Sequence, residues 1–235
     1  MNLQQETLIY LNQLAEQESF IILDDDQCCE SDSVKQVDSS EWIKLENSVS
    51  QCKNCELFSV RNNVVFGEGN HHARLMFIGE APGADEDRQG LPFVGRAGQL
   101  LNKIIAAMGF KREEVYIANI LKCRPPENRD PLPHEVEACI SYLKNQIRLI
   151  QPEVIVSLGK VSAVNLLDLS PSVSVKSLRE RIFTYENRPL VVTYHPAALL
   201  RSASYKRPTW EDMQIVMKLL SGEIQWQPEA ENTLI

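Results

Sequence analysis

The chain has 235 residues, 43% of them hydrophobic, enough apolar material for one packed core with a short appendage. Its longest unbroken apolar run is the five residues Ile104 to Met108 and its first residues carry no basic cluster, so neither a membrane span nor a secretory signal is expected, and a cytoplasmic location is. The formal charge of -8 does not exclude a polyanionic partner, because residues 1–50 hold 11 acidic and 2 basic residues while the remainder holds 22 basic and 21 acidic.

Leu8, Leu11 and Leu14, with Ile9 beside them, predict a short amphipathic helix over Leu3 to Gln17. Residues 18–40 turn acidic and serine-rich and read as a linker, within which Phe20 to Leu23 could dock on the main body. Trp42 to Val49 reads as another helical turn or two leading into Cys52. From residue 73 the pattern becomes regular, with β-rich runs at Leu75 to Ile78, Val115 to Ile120, Val154 to Ser157 and Leu190 to Thr193. Helical stretches separate them: Ala97 to Met108, stopped by Gly109; Pro133 to Ile150, with a proline start and an apolar stripe through Val136, Cys139, Leu143 and Ile147; Lys160 to Leu167; and Trp210 to Leu220. Strands alternating with helices predict a three-layer α/β/α fold around a central, mostly parallel four-stranded sheet. The expected division is a helix plus flexible linker at 1–40, one domain at 41–221 and a tail at 222–235.

In such sheets ligands bind beyond the carboxyl ends of the strands. Three polar constellations fall there: Gly79-Glu80-Ala81-Pro82-Gly83 with Glu86 after the first strand, Asn119 and Lys122-Cys123-Arg124-Pro125-Pro126 after the second, and His195-Pro196 after the fourth. The first loop lacks both the Gly-Lys-Ser/Thr ending of a P-loop and the Gly-x-Gly-x-x-Gly spacing of a dinucleotide fold. Between residues 174 and 207 lie seven basic residues (Lys176, Arg179, Arg181, Arg188, Arg201, Lys206 and Arg207), a segment compatible with phosphate contacts.

Six cysteines in a chain of this kind argue for metal binding or reactive thiols over a disulfide framework. Cys52-x-x-Cys55 has the bite that chelates one centre, and Cys123 and Cys139 supply a second pair. Four thiolates suit zinc or an iron-sulfur cluster alike, and the spacing does not choose between them. Cys28 and Cys29, in the acidic linker, are expected to be free thiols.

Gly79-Glu80-Ala81-Pro82-Gly83 with Gly90-Leu91-Pro92-Phe93-Val94-Gly95-Arg96-Ala97-Gly98 resembles the first signature of family 4 uracil-DNA glycosylases. Asn119 to Arg129 and Tyr194-His195-Pro196-Ala197-Ala198-Leu199-Leu200-Arg201 resemble two more, in the family's order, and the likeness spans about residues 42 to 220. It implies a uracil-DNA glycosylase fold, removal of uracil from single- or double-stranded DNA, and a 4Fe-4S cluster on Cys52, Cys55, Cys123 and Cys139, with zinc as the alternative. Under this reading Gly79, Glu80, Ala81, Glu86, Phe93, Asn119 and His195 contact uracil; Phe93 stacks on it, Asn119 reads its edge and His195 donates to its O2. Glu80 supplies negative charge opposite the leaving base, Asn128 orients water, Leu199 (or, failing that, Leu200) fills the gap left by the extruded nucleotide, and Arg201, Lys206 and Arg207 hold phosphates. The sequence departs from the superfamily's better-known members at Ala81, where they place an aspartate, and from family 4 at Glu180, where glycine is common. A monomer is expected. The competing reading is a catalytically inactive, iron-sulfur-containing DNA-binding or polymerase-associated protein of the same fold.

Overall fold

A computed structural model of the chain describes residues 39–227 together with Thr233 and Leu234. The helix expected at Leu3 to Gln17, the acidic linker, and Cys28 and Cys29 lie outside the described residues. In chain order the elements are α1 (Ser39–Ser50), β1 (Glu68–Gly69), β2 (Leu75–Gly79), α2 (Ala84–Gln89), α3 (Arg96–Ala107), β3 (Tyr116–Asn119), α4 (Pro133–Ile150), β4 (Val154–Leu158), α5 (Lys160–Leu167), α6 (Val175–Leu178), β5 (Arg181–Tyr185), β6 (Arg188–Thr193), α7 (Pro196–Arg201), α8 (Lys206–Ser221) and β7 (Thr233–Leu234).

The strands form one sheet in the order β1-β3-β2-β4-β6-β5-β7. Its centre, β3-β2-β4-β6, is parallel and consists of the four strands the sequence predicts. Their residues are almost all buried, which is why they read as unbroken apolar runs rather than as an alternation. Short antiparallel strands extend the sheet at both edges: β1 on β3, then β5 on β6 and β7 on β5.

Alternate residues of each central strand face opposite layers. Met76, Ile78, Ala118, Ile155 and Val192 pack with Trp42 of α1, with Val136, Leu143 and Ile147 of α4, and with Leu166 of α5. On the other face Leu75, Phe77, Ile117, Val156 and Val191 meet Leu101 and Ile105 of α3 and Met213 and Val216 of α8. Helix α4 begins at Pro133, where the missing N–H would have had no partner anyway, and Glu135 caps its first turn by accepting from the Leu132 N–H at 2.8 Å.

Register fixes where the loops emerge. Gly79 pairs with Asn119, Ile78 with Ser157, and Leu158 with Thr193, so the carboxyl ends of all four parallel strands end at one level. The chain steps from β2 to β3 and then crosses back past β2 to β4, sending α3 and α4 to opposite faces and opening a crevice at the reversal.

One cation of the basic segment is not at the surface. Arg179 is buried, its Nε donating to Asp212 Oδ2 at 2.7 Å and its Nη2 to the Pro208 carbonyl at 2.5 Å, while Thr193 Oγ1 donates to the same Asp212 oxygen at 2.6 Å. This removes Arg179 from any phosphate-binding surface and makes it a clamp between α8 and the end of β6. Substituting Asp212 by alanine leaves a buried guanidinium without its one buried anion, only the more distant, exposed Glu211 and Glu180 remaining, and we expect a loss of about 3 kcal/mol in stability, read from urea denaturation.

Candidate active site and metal centre

Beyond the level strand ends lies a cleft of about 610 Å³ that brings Glu80, Phe93, Asn119, Asn128 and His195 into one wall system. Asn119, the last residue of β3, is 2% exposed and its Oδ1 has no hydrogen-bond partner among the described residues. A buried amide oxygen left unpaired is costly, and its position at the cleft wall makes it an acceptor awaiting a ligand's N–H. Gly79, opposite it in the sheet, leaves the necessary room: a Cβ there would come within 2.7 Å of the Phe93 ring and closer still to Asn119 Oδ1.

Phe93 is held in the left-handed region at φ 51°, where a bulky side chain rests only if its surroundings impose it. Two features do so. Gly98 lies directly against the Phe93 carbonyl, where any Cβ would collide. Glu86 Oε1 accepts from the Val94 and Gly95 N–H groups, both at 3.1 Å, and so clamps the turn that follows. Glu86 lines the cleft, as the sequence implies for a uracil contact, but this oxygen is engaged by the backbone, which makes it a brace for Phe93.

The Phe93 and His195 rings lie 5.6 Å apart, inclined at 33°. His195 caps α7, with Nδ1 accepting from the Ala197 N–H at 3.1 Å. That bond fixes the tautomer: Nδ1 is the acceptor and Nε2 carries the proton. Burial first, and the Arg201 guanidinium second, depress the imidazole to a pKa of about 4, so His195 is a neutral donor at physiological pH. Gly159 allows this placement, since at φ 96° it passes the His195 side chain where a Cβ would approach within 2.9 Å.

Glu80 is half-buried across the cleft, and burial, followed by the charge of Asp130, raises its carboxyl to about 7. Asn128 sits on a turn whose Glu127 and Asn128 are both left-handed, at φ 55° and 56°. Its Oδ1 accepts from Arg124 Nε at 2.8 Å, leaving the amide N–H₂ to face a ligand or water. Ala81 lines the same wall. Arg201 reaches the rim, and Lys206 and Arg207 open α8 as exposed cations, Arg207 pairing with Glu211 at 3.2 Å.

Leu199, the expected wedge, is 3% exposed, whereas Leu200, its expected alternative, is 45% exposed on the outer side of α7. Sequence reasoning also passed over Gly159 and Lys160, which line the cleft at the carboxyl end of β4, together with Asp130 and Tyr194. The rule that points to strand ends would have found the first two had it been applied to the third parallel strand as well.

On the α4 side of the sheet the sulfurs of Cys52, Cys55, Cys123 and Cys139 line one small pocket, all four unbridged. The pocket ties the segment after α1, the segment after β3 and α4 itself. Among the described residues no three of these sulfurs lie within 4.8 Å of one another. Tetrahedral zinc with bonds of about 2.3 Å would hold its thiolates about 3.8 Å apart, closer than any three of these sulfurs lie here. Arg61 Nη1 donates to Cys123 Sγ at 3.0 Å and the Lys122 N–H to Cys139 Sγ at 3.4 Å, both favouring thiolates. Burial holds the Cys139 thiol up to about 11, so a thiolate there would need a metal to draw the proton off.

Residues 66–214 match the family model described as the Uracil DNA glycosylase superfamily. The chain belongs to that superfamily. It is 45% identical to the type-4 uracil-DNA glycosylase of Archaeoglobus fulgidus over 66% of this chain and 81% of that protein. It is 42% identical to the type-4 uracil-DNA glycosylase of Thermotoga maritima over 76% of this chain and 94% of that protein. Within the superfamily its place is therefore with the type-4 group. A DNA polymerase of Bacillus phage SP01 is 30% identical over 67% of this chain, a match that covers 17% of the polymerase.

A carboxyl whose pKa is raised on folding weakens the folded state as pH climbs from its ordinary value of 4.5 through about 7. Glu80→Gln removes that loss. We expect the difference in melting temperature between Glu80→Gln and the parent to be more favourable to the variant at pH 8 than at pH 5; equal differences would mean that Glu80 ionises freely.

Proposed function

We propose that the chain flips uracil out of single- or double-stranded DNA and hydrolyses its N-glycosidic bond, leaving an abasic site. The observation that carries this reading is the buried, unpartnered Oδ1 of Asn119 beside Phe93 and His195. Uracil presents an N3–H donor and an O4 acceptor on one edge, which match the two ends of the amide; cytosine presents the reverse and would leave both unsatisfied.

Extrusion places the base on Phe93, with Leu200 filling the gap in the duplex and Arg201, Lys206 and Arg207 holding the flanking phosphates. As the bond to the sugar lengthens, negative charge grows on the uracil O2, where the neutral His195 donates from Nε2. Positive charge grows on the sugar, and Glu80, whose ionisation that charge would favour, opposes it electrostatically while the Asn128 N–H₂ orients the attacking water. Ala81 lines the cleft, and Gly79, by lacking a side chain, leaves room for Asn119 and Phe93 beside it.

Cys52, Cys55, Cys123 and Cys139 hold a 4Fe-4S cluster in this reading. Bound there, the cluster would crosslink three segments through the four cysteine sulfurs; no step of base removal passes through it. The domain spans 41–221 and acts in the cytoplasm as a monomer in this reading; no helix among the described residues is long and apolar enough to cross a membrane.

The test is incubation of the purified protein with a labelled uracil-containing oligonucleotide, followed by alkali, which breaks the strand at abasic sites. We expect cleavage at uracil, and single-turnover rates lowered about 10²- to 10³-fold by His195→Ala and by Asn119→Ala. A wild-type protein that leaves the strand intact would return the inactive DNA-binding reading. For the metal, a broad visible absorption is expected in the parent and its loss in Cys123→Ala; a colourless parent containing stoichiometric zinc would overturn the cluster assignment.

A further inference from the structure

Lys122 is a buried side chain that the chemistry above does not use. It is 1% exposed, and no carboxylate among the described residues pairs with it, unlike the buried Arg179. Ammonium groups are seldom buried without counter-charge, so its placement needs a cause.

Its hydrogen bonds supply one. The Lys122 Nζ donates to the main-chain carbonyl of Asn119 at 2.9 Å and to Gln146 Oε1 at 2.6 Å. Its N–H donates to Cys139 Sγ at 3.4 Å, and its carbonyl accepts from the Val65 N–H at 2.8 Å. A single residue thus touches a sulfur of the metal pocket through its main chain and the base-reading strand end through its side chain. Gln146 lies seven residues after Cys139, two turns along the same face of α4, and is itself fixed by donating to the Phe66 carbonyl at 2.9 Å and the Tyr116 hydroxyl at 3.1 Å. Helix α4 therefore grips both ends of Lys122, and Cys123, the next residue, is anchored in turn by Arg61.

Asn119 needs such a grip. Among the described residues its Oδ1 has no hydrogen-bond partner to orient it, so the direction of its amide depends on packing and on the backbone from which it projects. Beyond Asn119 the main chain stays on the sheet through Ile120 N to the Gly79 carbonyl and Leu121 N to the Glu80 carbonyl, both at 3.0 Å. The Asn119 carbonyl itself is taken by the Lys122 ammonium, which closes the turn between the reading strand and the metal-binding loop.

We propose that Lys122, held by Gln146, is a positioning residue that transmits the rigidity of the four-cysteine centre to Asn119 and so sharpens recognition of uracil. The inference rests on the reading of Asn119 as the uracil-selecting group. It assigns the metal centre a second consequence besides stability: the centre sets the angle at which a base is read.

The test uses the metal-loaded protein as isolated and compares the parent with Lys122→Met and Gln146→Met, measuring metal content, visible absorption, inhibition by free uracil and affinity for abasic-site DNA. Cleavage by the parent is the control, since a parent that cleaves no uracil-containing DNA would sink the reading of Asn119 rather than this inference. In Lys122→Met retaining its metal, uracil should inhibit at least tenfold more weakly while abasic-site DNA binds as before, a split that general loosening of the fold would not give. Unchanged inhibition by uracil, or an equal loss for both ligands, overturns the proposal. If Lys122→Met does not fold or loses its metal, Gln146→Met decides: about threefold weaker uracil inhibition with metal intact supports the proposal, and parental inhibition refutes it.

Discussion

The register of the parallel strands is the constraint on which the rest depends. Pairing Gly79 with Asn119 and Leu158 with Thr193 puts four loops at one level, so groups far apart in sequence meet without a dedicated scaffold. A one-residue slip of β3 would turn Asn119 to the other face of the sheet and send Ile117 from one hydrophobic layer to the other. Because both faces are covered, such a slip is prohibited by two cores at once. The precision of the cleft is in this sense a by-product of hydrophobic burial.

Within that frame the cleft separates its two ionisable groups by environment. The same desolvation that keeps His195 neutral holds the Glu80 carboxyl high, since burial penalises charge of either sign. The consequences differ. A neutral imidazole donates to a developing anion without first being a strong cation, and a carboxylate reluctant to ionise gains most when a cation forms beside it. Asp130 adds to the pressure on Glu80, so the two carboxylates together favour an electropositive partner between them.

Much of this arrangement is legible in the sequence because parallel strands buried on both faces leave unmistakable apolar runs and because the loops that follow them carry contiguous motifs. Helix α4 and helix α5 are predicted to the residue, since Pro133, the stripe on α4 and the strand before α5 mark their bounds. Strand β5 escapes notice: Arg181-Ile182-Phe183-Thr184-Tyr185 lies outside the parallel centre, and its polar Arg181 and Thr184 leave no unbroken apolar run against the basic composition around it. Which of Leu199 and Leu200 is exposed is invisible to sequence because both lie in one short helix, and only packing tells which faces in. Glu180 has a physical meaning that the motif comparison could only flag: at φ 61° it occupies a left-handed position where glycine is relaxed. Arg179 and Lys122 illustrate the converse error, because a sequence counts cations but cannot show that these two point inward.

Strain and bracing explain why so many polar residues of this fold are buried near the cleft. Phe93, Glu127 and Asn128 each hold a left-handed backbone, at a cost on the order of 1 kcal/mol or more apiece. Each is matched by a fixed polar contact. Glu86 holds the turn after Phe93. Glu135, with a fully buried side chain, takes both terminal nitrogens of Arg129 at 2.6 and 2.9 Å and so pins the turn that presents Asn128. Asp87 does the same for the segment before β1, accepting from the Asn62 N–H at 2.9 Å and from its side chain at 2.5 Å. These bonds do not merely add stability, since apolar residues of equal size would do that as well. What apolar residues cannot do is specify a direction, and a cleft that reads one edge of a small planar base requires directions to be held more firmly than positions.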